Sequence, residues 1–147
     1  MKILGVDPGL IQTGFGIINV RDNQSTLVDY GVIKPSSKDN LAKRLLTIFE
    51  DVCKIIKDFE PQIFAIEDIF YGKNVKSAMR LGQARGASMV AAASVQIPIY
   101  EYSARKVKQS LTGNGNAHKN QVQFMVKATL QMNHMPEPMD ASDALAV

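Results

Sequence analysis

Three strand-like segments open the chain, and their connections are too short for anything but antiparallel pairing. Lys2–Val6 is a short apolar run, read as a buried strand. Asp7-Pro8-Gly9 ends it, because proline and glycine punctuate the backbone. Gly14–Val20 and Leu27–Ile33 follow as further strands, separated by the polar turn Arg21–Ser25. A parallel pair would need a crossover of about a dozen residues or more, so these three begin an antiparallel sheet.

The rest of the chain alternates. Leu41, Leu45, Ile48, Val52, Ile55 and Phe59 recur every three or four residues, one helical stripe, with Ser37 and Asp39 as cap candidates and Pro61 as the stop. Cys53 lies beside the stripe as a small buried hydrophobe. Ile63–Ile66 is a fourth strand, ending in Glu67-Asp68, and Val75–Ser94 is an alanine-rich helix. Ile97–Tyr102 is a fifth strand, and Ser103 caps a basic helix running to Leu111. Gly113–Asn116 is a loop, His118–Leu130 a helix, Asn133–Pro138 a second loop, and Asp140 opens a last helix that stops at Val147. This order predicts one α/β domain over residues 1–147, with a mixed five-stranded sheet, three antiparallel strands then parallel ones, flanked by helices.

Composition narrows the class. With 46% hydrophobic and 21% charged residues the chain is an ordinary globular one. Its single cysteine excludes an internal disulfide, and no Cys/His cluster suggests zinc, which points to a reducing, cytoplasmic setting. No apolar run approaches the roughly 18 residues of a membrane span. The net charge of +3 is unevenly spread. Residues 1–68 hold eight Lys/Arg against ten Asp/Glu, whereas residues 69–127 hold nine against the single acid Glu101. The second half is a candidate electropositive surface for nucleic acid, or simply a solvated face.

Four acids draw attention. Asp7 ends the first strand and Glu67 the fourth; if those strands are parallel neighbours, both emerge at one sheet edge, where α/β ligand sites favour the carboxyl ends. Asp140 and Asp143 are three apart on a helix and share a face. Converging carboxylates repel unless a cation compensates, and oxygen ligands suit Mg²⁺ or Mn²⁺. Two such ions can activate water and stabilise the leaving oxygen at a phosphodiester. Spacing alone fits a plainer reading equally well, with strand-end acids as turn residues and Asp140 as an N-cap.

The stretches ILGVDPGL (3–10), TGFGII (13–18), AIED (65–68), LGQARG (81–86), EYSARKVKQSLTGNGNAHKNQV (101–122) and DASDALAV (140–147) resemble the RuvC family of Holliday-junction resolvases, in its order and over nearly the whole chain. The resemblance implies an RNase H-like fold and a bacterial cytoplasmic homodimer making paired nicks across four-way DNA junctions in recombination and repair. It implies work beside the RuvA–RuvB branch-migration complex, and about two Mg²⁺ (or Mn²⁺) ions per site. Matched motif by motif, the metal-binding catalytic acids fall on Asp7, Glu67, Asp140 and Asp143. Lys108 and Lys119 match phosphate contacts near the cut, and Phe70 an aromatic beside it. Lys106 and Tyr71 are further DNA-binding candidates, although the Tyr71 ring alone reads better as folded back on the core. The smooth face around Gly82 and Gly86 falls where the family dimerises, though small residues also suit close packing on a sheet. His118 is read as a lone surface histidine. The resemblance also implies that the last helix continues past the position of Val147. Two rivals are a YqgF-like RNA-processing nuclease, against which LGQARG and DASDALAV argue, and a non-catalytic junction binder, against which four matching acids argue.

Overall fold

Lys2–Asp7 (β1), Thr13–Arg21 (β2) and Gln24–Ile33 (β3) pair antiparallel in a computed structural model, which describes residues 1–69 and 74–147. The hairpin between β2 and β3 is tighter than the polar stretch 21–25 suggests. Only Asp22 and Asn23 turn, at φ of 51° and 60°, the left-handed pair that matches strand twist. Asp and Asn tolerate that region, so both strands run into the polar stretch.

Ile63–Glu67 (β4) pairs parallel to β1, and Ile99–Tyr102 (β5) parallel to β4, giving the order β3-β2-β1-β4-β5. This is the mixed five-stranded sheet expected. The fifth strand starts at Ile99, not Ile97. Register Val6↔Ile66 brings the ends of β1 and β4 level, so Asp7 and Glu67 emerge side by side.

Strand alternation decides which way they face. Leu4, Val6, Phe64 and Ile66 are buried in the core on one face of the sheet. There they meet Ile48, Val52 and Ile56 of helix α1 (Leu41–Phe59) and Ala84, Ala91 and Ala92 of helix α2 (Val75–Ser94). Gly5, Asp7, Ala65 and Glu67 therefore face the other side. The N-cap of α1 is Asn40, whose side chain accepts from the Lys43 N–H at 2.9 Å, and not Ser37 or Asp39. Asp39 instead pairs with Lys43.

The opposite face carries α3 (Ala104–Thr112), α4 (Lys119–Thr129) and α5 (Met139–Ala146), with α5 lying on β1 and β2. The helix begins one residue before Asp140, with Pro138 as N-cap. Glycines floor this contact. A Cβ on Gly5 would strike the Ala144 carbonyl, one on Gly14 the Asp140 backbone, and one on Gly16 the Leu145 side chain. Their lack of side chains lets the helix backbone rest almost directly on the sheet. No helix of the described residues is long and apolar enough to cross a membrane.

Candidate active site

Asp7, Asp140 and Asp143 offer carboxylate oxygens within 4.8 Å of one another. Asp140 sits in the first turn of α5, where the N-terminal dipole favours negative charge, and Asp143 follows one turn later. Glu67 lies outside that tight trio but lines the same cleft of about 230 Å³, together with Lys108, Lys119 and Val122. Lys119, the first residue of α4, points its Nζ at Asp143 Oδ2, 3.3 Å away. His118 is the N-cap of that helix and makes no side-chain cap bond.

Electrostatics show what the arrangement costs. The Asp7 carboxyl is pushed up to about 7, first by burial and then by the charges of Glu67, Asp143 and Asp140, with Lys119 opposing. Burial, then Asp143, also raises Glu67, against Lys119 and Lys108. Asp143 in turn holds the Lys119 proton more tightly. Four acids against two lysines leave the ionised cleft at −4 + 2 = −2. Only oxygen donors line its acidic wall, a set that fits a hard divalent cation such as Mg²⁺ or Mn²⁺.

Neighbouring residues that single-residue reading passed over hold the acids in place. Thr13 is fully buried; its Oγ1 donates to the Gly9 carbonyl at 2.7 Å and accepts from the Gly9 N–H, clamping the loop after Asp7. From that loop Gln12 donates its side-chain N–H to Asp140. Arg85 of α2 donates Nε to the Glu67 carbonyl at 3.2 Å and pairs with Glu101 and Asp68, tying the helix to the ends of β4 and β5. The signal for Gln12 was present in its position between two matching motifs. That for Arg85 lay inside LGQARG.

The remaining candidates divide. Lys106 is two residues from Lys108 on α3, so the two cannot share a face. Its ammonium lies over the Tyr102 ring, 5.3 Å from the centroid, beside a hollow on the Ile3 and Ile63 side and away from the acids. Phe70 and Tyr71 lie outside the described residues. A Cβ on Gly82 would touch Ile69 at 3.4 Å, whereas one on Gly86 would meet nothing. Gly113 ends α3 at φ 74°, and Gly115 backs onto Arg105, so both have structural reasons to be glycine.

Comparison with known proteins fits this geometry. The family model described as "Crossover junction endodeoxyribonuclease RuvC" matches residues 3–147. The protein of that name from Saccharophagus degradans is 49% identical over 145 residues, covering 99% of this chain and 83% of the relative. That from Halothermothrix orenii is 46% identical, covering 100% and 89%. The Thermus thermophilus RuvC structure in complex with Holliday junction substrate superposes with a TM-score of 0.94 at 33% identity, over 100% of this chain and 90% of that one. The five-stranded sheet and its flanking helices are accordingly of the RNase H-like type. Matched end to end in both sequence and fold, the chain belongs to the RuvC family of crossover junction endodeoxyribonucleases.

Proposed function

We propose that Asp7, Glu67, Asp140 and Asp143 hold two Mg²⁺ ions, or Mn²⁺, and that the protein resolves four-way DNA junctions by paired phosphodiester hydrolysis. Family membership makes it a hydrolytic endonuclease of DNA crossover junctions. The observation that carries the site is the meeting of Asp7 with Asp140 and Asp143, more than 130 residues apart in sequence, beside Glu67 and two lysines. When bound, the ions supply an activated water at neutral pH and charge neutralisation at the leaving oxygen. The chain's own residues do the rest. The acids fix the ions at the carboxyl edge of the sheet. Lys108 and Lys119 draw a DNA phosphate into the cleft, and Gln12 and the glycine floor hold Asp140 in register.

Paired cutting needs two sites. Val75, Met79 and Val90 are more than half exposed on the outer face of α2, at helical spacing with Gly86. That smooth apolar face supports a homodimer packed on α2. Phe70 and Tyr71 enter the proposal through the motif resemblance alone, as aromatic rings that would stack on bases opened at the junction centre. Work beside the RuvA–RuvB complex is carried by family membership alone.

One assay tests the reading. Labelled four-way DNA, linear duplex and structured RNA are each incubated with and without Mg²⁺. Symmetric nicks on the four-way DNA, only with metal, are expected. Asp7→Asn, Glu67→Gln, Asp140→Asn and Asp143→Asn should each lose about 100-fold or more in cutting, since even outer partners of metal ligands are worth 10–100-fold. Junction binding should survive, because affinity comes from the basic groups. Preferred cleavage of RNA, or cutting that ignores chelation, contradicts the proposal.

A further inference from the structure

Next to the acid cleft lies a second hollow of about 420 Å³, with Gln12, Arg44, Ser77, Arg80 and Asp140 among its walls. A third hollow continues it through the shared residues Ile11, Arg44 and Arg80, and reaches Lys34, Ser36 and Ser37. Asp140 lines both the acid cleft and the second hollow, so the two hollows form a groove that adjoins the acid cleft at that residue. Beyond Asp140 its charged lining is entirely cationic: Arg44, Arg80 and Lys34. None of these cations has an ion-pair partner among the described residues.

Arg44 is the most constrained of the three. Its Nη2 donates to the Leu10 carbonyl at 2.8 Å, tying α1 to the loop after Asp7. Its Nε is closed off from solvent and has no hydrogen-bond partner among the described residues. Arg44 is only half-buried, so an anion in the groove would meet the guanidinium at its accessible nitrogens and not at Nε, compensating a charge whose hydration is incomplete. Guanidinium groups match phosphate oxygens through their planar fork. The exposed Arg80 and the hydroxyls of Ser77, Ser36 and Ser37 add donors of the kind that hold a nucleic-acid backbone.

We infer that this groove is a backbone-phosphate subsite for the DNA strand flanking the cut, with Arg44 and Arg80 as its contacts. The inference deepens, and rests on, the reading of the acid cleft as a phosphodiester-cutting site. The strand then crosses the acids from Lys108 and Lys119 on one side to Arg44 and Arg80 on the other. Such contacts set register and orientation and carry no base information.

Two measurements test it. Junction binding in chelator is followed across a salt series for wild type, Arg80→Ala and Arg44→Lys. Arg80→Ala should reduce the log–log salt slope by about 1, so that its affinity loss between about 50 and 200 mM salt is 3- to 4-fold smaller. The change should be the same for junctions of different sequence, and Mn²⁺ affinity without DNA should stay unchanged. Arg44→Lys keeps the charge but loses the fork, and should weaken binding several-fold. Unchanged slope and affinity in both variants would overturn the subsite. Independently, the Arg44 Nε–H resonance is followed by NMR during titration with a short single-stranded DNA. A shift supports the subsite, and no movement at saturation overturns it. A protein that shows the shift but cuts no four-way DNA keeps the groove and loses the junction reading.

Discussion

Asp7 keeps its proton up to about pH 7 because burial and three neighbouring carboxylates disfavour its anion. In an unfolded chain the same group would release it near 3.8. Between those values the native state binds more protons than the unfolded one, so stability falls as pH rises through the window. Glu67 is shifted in the same direction and adds to the trend. The chelated protein should therefore melt at steadily lower temperature from about pH 4 to pH 7, and Asp7→Asn should flatten that decline. Divalent metal should raise the melting temperature most at the alkaline end, because it binds the deprotonated acids. Equal slopes in wild type and Asp7→Asn would show that the Asp7 charge is not held against its neighbours.

At the scale of elements, α5 and the strands beneath it act as one unit. The Gly14 Cα sits so close to the Asp140 backbone that even a methyl group has no room. The obstruction is main chain and not a movable side-chain tip, so Gly14→Ala must lift the start of the helix. Overpacking of this kind typically costs about 1–3 kcal/mol. The variant should stay folded but lose metal affinity and cutting together, because Asp140 and Asp143 leave Asp7. Circular dichroism with Mn²⁺ titration checks this; normal metal binding in a folded Gly14→Ala protein would refute it. Helix α2 makes the contrasting case. A Cβ at Gly86 meets nothing, so Gly86→Leu should leave the monomer fold and its melting temperature intact. If α2 is the dimer face, sedimentation should give twice the monomer mass for wild type and the monomer mass for Gly86→Leu. Its single nicks should then outlast paired cutting. A wild-type monomer at micromolar concentration would exclude the dimer.

For the whole molecule the charge count matters more if, as proposed, metal neutralises the four acids. Seventeen Lys/Arg then face 14 − 4 = 10 Asp/Glu, an excess of +7 in place of +3. Such an excess, with nine of the cations in residues 69–127, predicts junction affinity that falls steeply with salt. A filter-binding series in chelator and in Ca²⁺ should show the steep slope in both and tighter binding with the ion. A flat profile would mean that phosphate contacts do not dominate.

Local pattern was enough to determine the element types. Apolar alternation and helical periodicity act over a few residues, which is why Val75–Ser94 and the antiparallel opening were legible in the sequence. Boundaries shifted by a residue or two where a cap depended on one hydrogen bond, as at Asn40, or where a two-residue turn let strands lengthen, as at Asp22-Asn23. Motif resemblance supplied the four acids, but it could not say how they meet. That was decided by contacts between residues far apart in the chain: β1 against β4 for Asp7 and Glu67, and the glycine floor for Asp140 and Asp143. The trio closes while Glu67 stands slightly apart, and Gln12 reaches Asp140 across the gap between loop and helix. Lys106 and Lys108 diverge because a helix turns about 100° per residue, and only the docking of α3 settles which of them faces the acids. Burial and mutual repulsion, which lift Asp7 toward neutrality, exist only once these surfaces have come together.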